Sequence, residues 1–489
     1  MVRLQQVLVI VIALGSGCAM PRRPEPAASY SYSTPESGLP LQRLPSVGED
    51  IRLVSHAQIA TGTTPEPVVH AVQEAPADNE LLPIPMPAEA SDELATAGFL
   101  DESRLVAEVV ARNPSIEAMI AAWEAASLRY PQVIALDDPM LNMSVGPSSW
   151  GRSDVESAYM VMASQKLLWP GKRQLRASVT IAEADAAASQ IEDTQLRLAE
   201  MAKLAFYDYY AAARELALNE DNLRETREFR ETAEAKLRAS LVTQQDVLQA
   251  DVELALLERR RNELQRQVKV AAARINTLLH REAVHPLPPP PGALSVTEEP
   301  PSLDELHNTA IQRRPDLAAL AAQIRADEAT LALAWKEYYP DLELYAKYDA
   351  FWQEHPLRSA VGVNVNVPLN QSRRCAAVRE AESRLLQHRA EYDRLLDEIS
   401  NELHTNYERL LESNRTSHLF RDRIVPAAEK NVESARAGYT AGNVDFLRLI
   451  DAQRQLIELR EQQVDTISDY HRRLAELHRA AAVPVESSR

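Results

Sequence analysis

Four methionines lie close together in sequence, and their side chains are the best candidates for ligand binding. Thioether sulfur prefers soft metal ions such as Cu(I), so Met140, Met143, Met160 and Met162 could form such a site. Packing and lipid contact are far commoner uses of methionine, and these are the roles that we expect here. Cys375 stands alone at the start of a predicted helix, which is more typical of a small buried residue than of a nucleophile.

No other arrangement of residues predicts catalysis. The eleven histidines are scattered without the spacing of metal ligands, and neither a Ser/His/Asp order nor a carboxylate pair indicates an active site. Only 13 of the 489 residues are glycine, which counts against a nucleotide-binding α/β enzyme because phosphate loops need glycine. We therefore expect no enzyme activity, no cofactor and no metal site.

The chain is acidic but otherwise has the composition of a folded protein. Its formal net charge is −18, which argues against a nucleic-acid partner because such a partner requires a basic face. Hydrophobic residues make up 45% and charged residues 25%, so wholesale disorder is excluded. Two cysteines cannot form a disulfide framework.

The N-terminus resembles an export signal. The apolar run 7–14 follows Arg3 and is too short to span a bilayer, so residues 1–17 are predicted to be a signal peptide. Cys18 follows Gly-Ser-Gly, as the acylated cysteine does in a bacterial lipobox, and we predict that it carries lipid chains, palmitate among them. The alternative is an ordinary signal peptide with a chance cysteine. Residues 18–97 are rich in proline and predict an extended, lipid-anchored tether.

The rest of the chain contains one unit twice. Three pairs of short segments mark the repeat: Asn113-Pro114 with Arg314-Pro315, Lys172-Arg173 with Arg373-Arg374, and Gln249-Ala250-Asp251 with Asp451-Ala452-Gln453. The first two pairs are 201 residues apart and the third is 202 residues apart, so a single insertion separates the copies. We expect a protomer with approximate twofold symmetry. The predicted units are a first repeat over 98–285, a proline-rich linker over 286–301, a second repeat over 302–483 and a tail over 484–489.

Each repeat is predicted to contain a helix, two strands and a pair of long helices. Residues 172–285 lack glycine and proline and are rich in strong helix formers, but a single helix of that length is improbable. We therefore predict antiparallel helix pairs over 173–239 and 246–280, and over 373–440 and 445–482. Apolar and polar residues alternate in the segments before these helices, which predicts strands over 139–149, 156–168, 341–352 and 359–368.

The strand lengths suit a tilted transmembrane β-strand. If four such strands lie in lipid, their edges need partners that lipid does not offer, so several protomers must share one barrel. Two protomers would give eight strands and a filled interior, whereas three would give twelve strands and a pore. The smallest conducting assembly is thus a homotrimer. The alternative is a small soluble sheet that caps a helical bundle.

This layout resembles the TolC-type outer-membrane efflux factor family, especially its lipoprotein-like members in RND drug and heavy-metal efflux systems. The duplicated Asn-Pro and Arg-Pro openings, the step Gly171-Lys172-Arg173 and the turn segments 241–250 and 442–453 carry the resemblance, which covers about 98–483. It implies a mainly α fold with a small β part. In that fold a trimeric α-barrel tunnel continues into a 12-stranded transmembrane β-barrel, with four strands from each chain.

The resemblance also assigns roles to particular residues. The hairpin tips of similar proteins contact a periplasmic adaptor, and the corresponding residues here are Ser240, Leu241, Val242, Thr243, Gly442, Asn443 and Val444. Similar proteins place acids six and nine positions after the turn glycine to form a periplasmic gate. Those positions hold Arg448 and Asp451, so Asp451 fits the pattern and Arg448 departs from it and could instead pair with an acid. Ser240 replaces the usual glycine of the first turn, and a tighter or differently shaped turn is expected there.

The implied function is that of an exit duct in the bacterial outer membrane, anchored by lipid and continued by a periplasmic helical tunnel. Such a duct passively exports small molecules or metal ions, which an inner-membrane RND-type pump delivers through the adaptor. Two alternatives stay open from the sequence. One is the exit duct of a type I protein secretion system, and the other is a soluble periplasmic coiled-coil scaffold.

Overall fold

The structure is a computed structural model, and it describes residues 98–151, 156–297, 302–351 and 355–483. These residues all lie within one compact unit, Glu89–Arg489. The predicted signal peptide, Cys18, the tether up to residue 97 and the tail over 484–489 lie outside the described residues.

Helices make up most of the described chain. The first repeat contains α1 (Glu102–Arg112), α2 (Pro114–Ser127), α3 (Arg129–Ile134), β1 (Met140–Val145), β2 (Tyr159–Leu167), α4 (Lys172–Arg238) and α5 (Gln244–Leu278). The second contains α6 (Leu303–Arg313), α7 (Pro315–Lys336), β3 (Leu342–Asp349), β4 (Ser359–Val365), α8 (Gln371–Leu419), α9 (Val425–Ala441) and α10 (Phe446–Ala480). Single 3₁₀ turns at Pro147–Ser149 and His355–Leu357 precede β2 and β4.

The single helix predicted before each strand pair is divided, because each copy has a proline near its middle. Pro114 and Pro315 each occupy the first position of a new helix, where the missing N–H costs nothing. The Asn113 side chain caps α2 by accepting a hydrogen bond from the Ser115 N–H at 3.0 Å. The duplicated openings are therefore corners between two helices.

The two repeats share one sheet. Its strands are antiparallel in the order β1-β2-β3-β4, and Ala163 of β2 lies opposite Ala346 of β3 where the copies meet. The strands are shorter than predicted. β1 ends at Val145 because Pro147, which has no N–H, starts a 3₁₀ turn after Gly146.

One face of this sheet is apolar and exposed. Residues that face each other across the register share a face, so Leu141, Val161 and Leu344 lie on the same side as Val363. Leu141 is 70% exposed and Val363 54% exposed. The opposite face carries charged and polar residues of the two central strands, namely Ser164, Lys166, Glu343 and Lys347. The sheet therefore presents apolar side chains outward along all four strands.

The long helices form antiparallel pairs. α4 contains 67 residues, which gives a length of about 100 Å at 1.5 Å per residue. It packs against α5, α7 and α10. Within the described residues, every helix is either too short or too polar to cross a bilayer.

The helix predicted over 373–440 is interrupted. α8 and α9 are joined by a π-helical turn, Phe420–Ile424. Pro426 lies at the start of α9, and it cannot donate the N–H that an α-helix would direct to the carbonyl of Asp422. The wider turn accommodates this missing hydrogen bond, so the chain continues in the same direction without a break.

Matching apolar cores lie in the two repeats. In the first, Leu105 and Val109 of α1 pack against α4 and α5, and in the second, Leu306 and Ala310 of α6 pack against α8 and α10. The proline-rich linker joins these cores. Its Pro288 carbonyl accepts a hydrogen bond from the Tyr209 hydroxyl of α4 at 3.2 Å, and its residues Leu294 and Val296 pack against the first and second cores.

A buried lysine fixes the angle between the sheet and the helices. Lys172 begins α4, directly after Gly171, whose φ of 89° is left-handed. The Lys172 ammonium is 1% exposed and donates to Asp341 Oδ1 at 2.9 Å and to the Tyr339 carbonyl at 3.1 Å. The Asp341 carboxylate also accepts from the Trp169 N–H at 2.9 Å. The end of β2, the start of α4 and the start of β3 are thus tied together.

We expect the substitution Lys172→Ala to lower the free energy of unfolding by about 2 kcal/mol, because it removes a buried ammonium and leaves the half-buried Asp341 carboxylate without its cation. Lys166→Ala is the matched control, since Lys166 pairs with Asp137 at 3.9 Å in an exposed position, where the loss should stay below about 1 kcal/mol. Denaturant unfolding in detergent, monitored by the circular dichroism of the helices, measures the loss of stability of both variants. Equal losses would show that Lys172 does not hold the junction.

Candidate functional site

The two hairpin tips end in the same turn. The Leu241 N–H donates to the Lys236 carbonyl at 2.9 Å, and the Asn443 N–H donates to the Gly438 carbonyl at 2.9 Å. Ser240 and Gly442 both adopt left-handed φ values, 57° and 78°. The expectation that Ser240 changes the shape of the first turn is therefore wrong, because the serine accepts the left-handed conformation at a cost of about 1–2 kcal/mol.

The tips pack on each other through a common apolar core. Buried Phe229 and Ala233 of α4 and Ala250 of α5 contact Tyr439, Phe446, Leu449 and Ile450 of the second hairpin. The sequence predicted two separate sets of tip residues, and the structure joins the hairpins that carry them.

The predicted adaptor-contacting residues differ in their exposure. Leu241 is 73% exposed, and Ser240, Thr243, Gly442 and Asn443 are also exposed. Val242 packs against the tip core, and Val444 is half-buried beneath Gly438, where an added Cβ would lie 2.5 Å from a Val444 methyl group. The exposed positions are thus available to a partner, whereas the two valines help to fix the turns.

Lys236 and Tyr439 link the two turns. The Lys236 ammonium lies 4.0 Å from the centre of the Tyr439 ring and donates to the Tyr439 carbonyl. Burial, with a smaller contribution from the Asp246 charge, raises the pKa of Tyr439 to about 12, so its hydroxyl stays neutral. A cation–π contact and a charge-assisted hydrogen bond therefore hold the end of α4 against the end of α9.

The predicted gate residues lie on the exposed face of α10. The Asp451 carboxylate is 3.7 Å from the Arg454 guanidinium, and its side chain is 59% exposed. Arg448 is exposed, and its guanidinium pairs with no acid in the described part of the protomer. The structure thus brings Asp451 together with Arg454 and leaves Arg448 apart from both.

Sequence reasoning missed a charge pair that joins the two hairpins near the tips. The Arg454 guanidinium donates to Glu253 Oε1 of α5 at 2.7 Å, and the Glu253 side chain is 8% exposed. This pair joins the two hairpins just above their common core. A signal was present in the sequence, since the two residues are 201 apart and so occupy nearly equivalent positions of the repeat with opposite charges.

The four methionines that the sequence analysis considered as ligands lie in the sheet, outside the apolar cores of the helices. Met143 lies on the apolar face of the sheet, and Met140, Met160 and Met162 lie on the polar face. Cys375 is half-buried near the start of α8. Among the described residues, no group of three or more His, Cys, Asp or Glu side chains is arranged to hold a metal ion.

The second repeat also matches a known family. Residues 306–483 match the family described as outer membrane efflux protein. The second repeat is therefore similar to the outer membrane efflux protein family. The match begins within α6 and ends after α10, so it contains half of the sheet and the second hairpin with its tip.

One curated relative and several solved structures extend this match. The cobalt-zinc-cadmium resistance protein CzcC of Cupriavidus metallidurans is 27% identical over 164 residues. That alignment covers 32% of this chain and 37% of CzcC, so the chain spans little more than a third of that relative.

Three solved outer-membrane proteins share the fold. The outer-membrane channel OprN is 19% identical and covers 81% of this chain and 96% of its own, with a TM-score of 0.67. VceC of Vibrio cholerae is 17% identical and covers 79% of this chain and 97% of its own, with a TM-score of 0.66. CusC is 16% identical and covers 81% of this chain and 95% of its own, with a TM-score of 0.66. These matches confirm the resemblance to the TolC-type family and the mainly helical fold with a four-stranded sheet.

We expect the substitution Glu253→Arg to loosen the contact between the two hairpin tips, because it places two cations side by side in a nearly buried position. Amide hydrogen exchange in 246–253 and 446–454 should become faster. The charge swap Glu253→Arg with Arg454→Glu should restore most of the protection. Failure of the swap to restore it would mean that packing, and not the ion pair, holds the hairpins together at this height.

Proposed function

We propose that this protein is the outer-membrane exit duct of a tripartite efflux system. It acts without catalysis and provides a passive path from the periplasm to the exterior. An inner-membrane RND-type pump supplies the substrate and the driving force, and a periplasmic adaptor connects the pump to the hairpin tips.

The observation that carries this proposal is the combination of one open-edged sheet with helices about 100 Å long. The sheet has an exposed apolar face suited to lipid, and β1 and β4 each leave one edge unpaired within the described chain. Pairing β4 of one copy with β1 of the next satisfies both edges, and three copies give twelve strands around a pore. A soluble scaffold would gain nothing from the apolar face.

The proposed substrates are small molecules or metal ions. CzcC is named for resistance to cobalt, zinc and cadmium, which supports divalent metal ions as one candidate class. The proposed partner at the tips is the adaptor, which would contact the exposed residues Ser240, Leu241 and Thr243 of the first turn and Gly442 and Asn443 of the second. The half-buried Val242 and Val444 would position these turns.

The native mass of the full-length protein in detergent tests the assembly. We expect a trimer that depends on detergent for its recovery, together with ion conductance when the particle is added to a planar bilayer. A monomer that stays in solution without detergent would contradict the shared barrel. A detergent-dependent trimer without conductance would support the shared barrel but would contradict the function as an exit duct.

A charge reversal at Asp451 tests whether this residue forms part of the proposed periplasmic gate. We expect Asp451→Arg to raise single-channel conductance and the uptake of large antibiotics, because it places a cation beside Arg454 and disrupts the charges of the constriction. Glu458→Arg is the matched control. Glu458 is exposed on the same face of α10, about 10 Å farther from the tip. An equal response of the two variants, or none from Asp451→Arg, would remove Asp451 from the gate.

A further inference from the structure

One large helix contact of the second repeat is missing from the first. Within one chain, α7 lies between α4 and α8 and packs against both. Its counterpart in the first repeat is α2, which packs against α4, and this contact corresponds to that of α7 with α8. The contact of α7 with α4 has no comparable counterpart within the described part of the chain. The counterpart would be a contact of α2 with α8.

The face of α2 that could make this contact is exposed. Ala322 and Ala326 of α7 are both buried. The residues 201 positions earlier, Ala121 and Ala125 of α2, are both exposed. Trp123 lies between them in sequence and is 40% exposed. A face of small residues that is covered in one repeat is therefore open in the other.

The contact between α4 and α7 provides a register. The Asp185 carboxylate of α4 lies 3.0 Å from the Arg325 guanidinium of α7. At the other end of the contact, Gly171, which precedes α4, lies against the side chain of Lys336, the last residue of α7. The two helices therefore run antiparallel.

The repeat transfers this register to α2 and α8. The residue 201 positions after Asp185 is Leu386 of α8, and the residue 201 positions before Arg325 is Glu124 of α2. Leu386 is 66% exposed, although it is a large apolar residue. Glu124 is exposed as well and directly follows Trp123. The tryptophan could thus cover the exposed leucine of a second chain.

Charges favour the same register. α2 carries two acids, Glu117 and Glu124, and no base. With Glu124 beside Leu386, antiparallel packing places Glu117, about two turns earlier on α2, close to Arg394, about two turns later on α8. Arg394 is exposed and pairs with Glu398 of its own helix. A guanidinium has five N–H donors, so it can bind a second carboxylate.

The proposed pairing of strands brings the same two helices together. α8 follows β4 after a short loop, and α3, which continues from α2, ends shortly before β1 begins. If β4 of one copy pairs with β1 of the next, α8 of the first copy therefore lies next to α2 of the second.

The same relation continues toward the tips. Ile450 of α10 is 1% exposed and packs against α4 in the common core of the tips. Its counterpart 202 residues earlier is Leu248 of α5, which is 55% exposed. A neighbouring copy that offered its second hairpin to α5 would cover Leu248 as α4 covers Ile450.

We propose that the exposed face of α2 binds α8 of a second copy of this chain, in the register in which α7 binds α4 within one chain. Glu124 then lies beside Leu386, and Glu117 lies beside Arg394. This inference rests on the proposed trimer, in which the contact occurs three times, and it identifies the helix faces that meet between copies.

Cysteine cross-linking of the full-length protein in detergent tests the contact. In a Cys375→Ser background, Glu124→Cys combined with Leu386→Cys should be linked between chains by a flexible bis-maleimide, so that denaturing electrophoresis shows dimers and trimers. Either single variant should stay at the mass of a monomer. The matched control is Asp185→Cys combined with Arg325→Cys, which should be linked within one chain and should also keep the mass of a monomer.

Co-expression of the two single variants sharpens the test. Chains with Glu124→Cys and chains with Leu386→Cys should form linked dimers but no linked trimers, because a ring of three then contains at most one complete pair of thiols. Links that form equally in a single variant would show random collision and would overturn the contact.

The native mass and the conductance separate this contact from the duct. A trimer that conducts but gives no links in the double variant would overturn the contact and leave the duct standing. Linked trimers that do not conduct would overturn the duct and leave the contact standing. A monomer without links would overturn both.

Discussion

Two backbone edges constrain the whole assembly. β1 and β4 end the described sheet, and the outer N–H and C=O groups of each have no strand partner in the described part of the chain. In the proposed membrane setting, lipid would not supply these hydrogen bonds either. In the proposed trimer, joining unlike edges of successive copies would satisfy both edges and would place the long helices in one ring. The buried Lys172 then transmits the geometry of the strands to α4, since it ties the two elements at the point where they meet.

The helices below the sheet are held together by different kinds of contact along their length. Near the sheet, two matching apolar cores and the proline-rich linker hold the repeats together. At the far end, aromatic and aliphatic side chains of both hairpins form a separate core. Between them, the buried face of α4 carries the charged and amide side chains of Glu215, Asn219 and Asn222 beside the apolar Leu223.

The sequence was sufficient to predict the order of helices and strands, because the repeat and the spacing of apolar residues are visible in the sequence itself. Alternating valines in 361–367 predicted a half-exposed strand, and the lack of glycine and proline in 172–285 predicted the long helices. Contacts between the hairpins could not be predicted. Arg454 with Glu253, and Lys236 with Tyr439, depend on how two distant segments pack. Ser240 was misjudged for a related reason, since propensity alone does not reveal that the surrounding turn holds it in a left-handed conformation.

The π turn at Phe420–Ile424 keeps the core-facing side chains of the second hairpin directed toward the first hairpin. The two copies are 201 residues apart at the start of the long helices and 202 apart at both the tips and the far ends, where Leu278 corresponds to Ala480. In an unbroken α-helix, one extra residue would rotate everything beyond it by about 100° and would turn the core-facing side chains toward solvent. A π turn absorbs one residue within a single loop of helix. Phe446 and Ile450 consequently still pack against Phe229 of the first hairpin. The inserted residue changes the helix only at the π turn, and the contact between the hairpins is preserved.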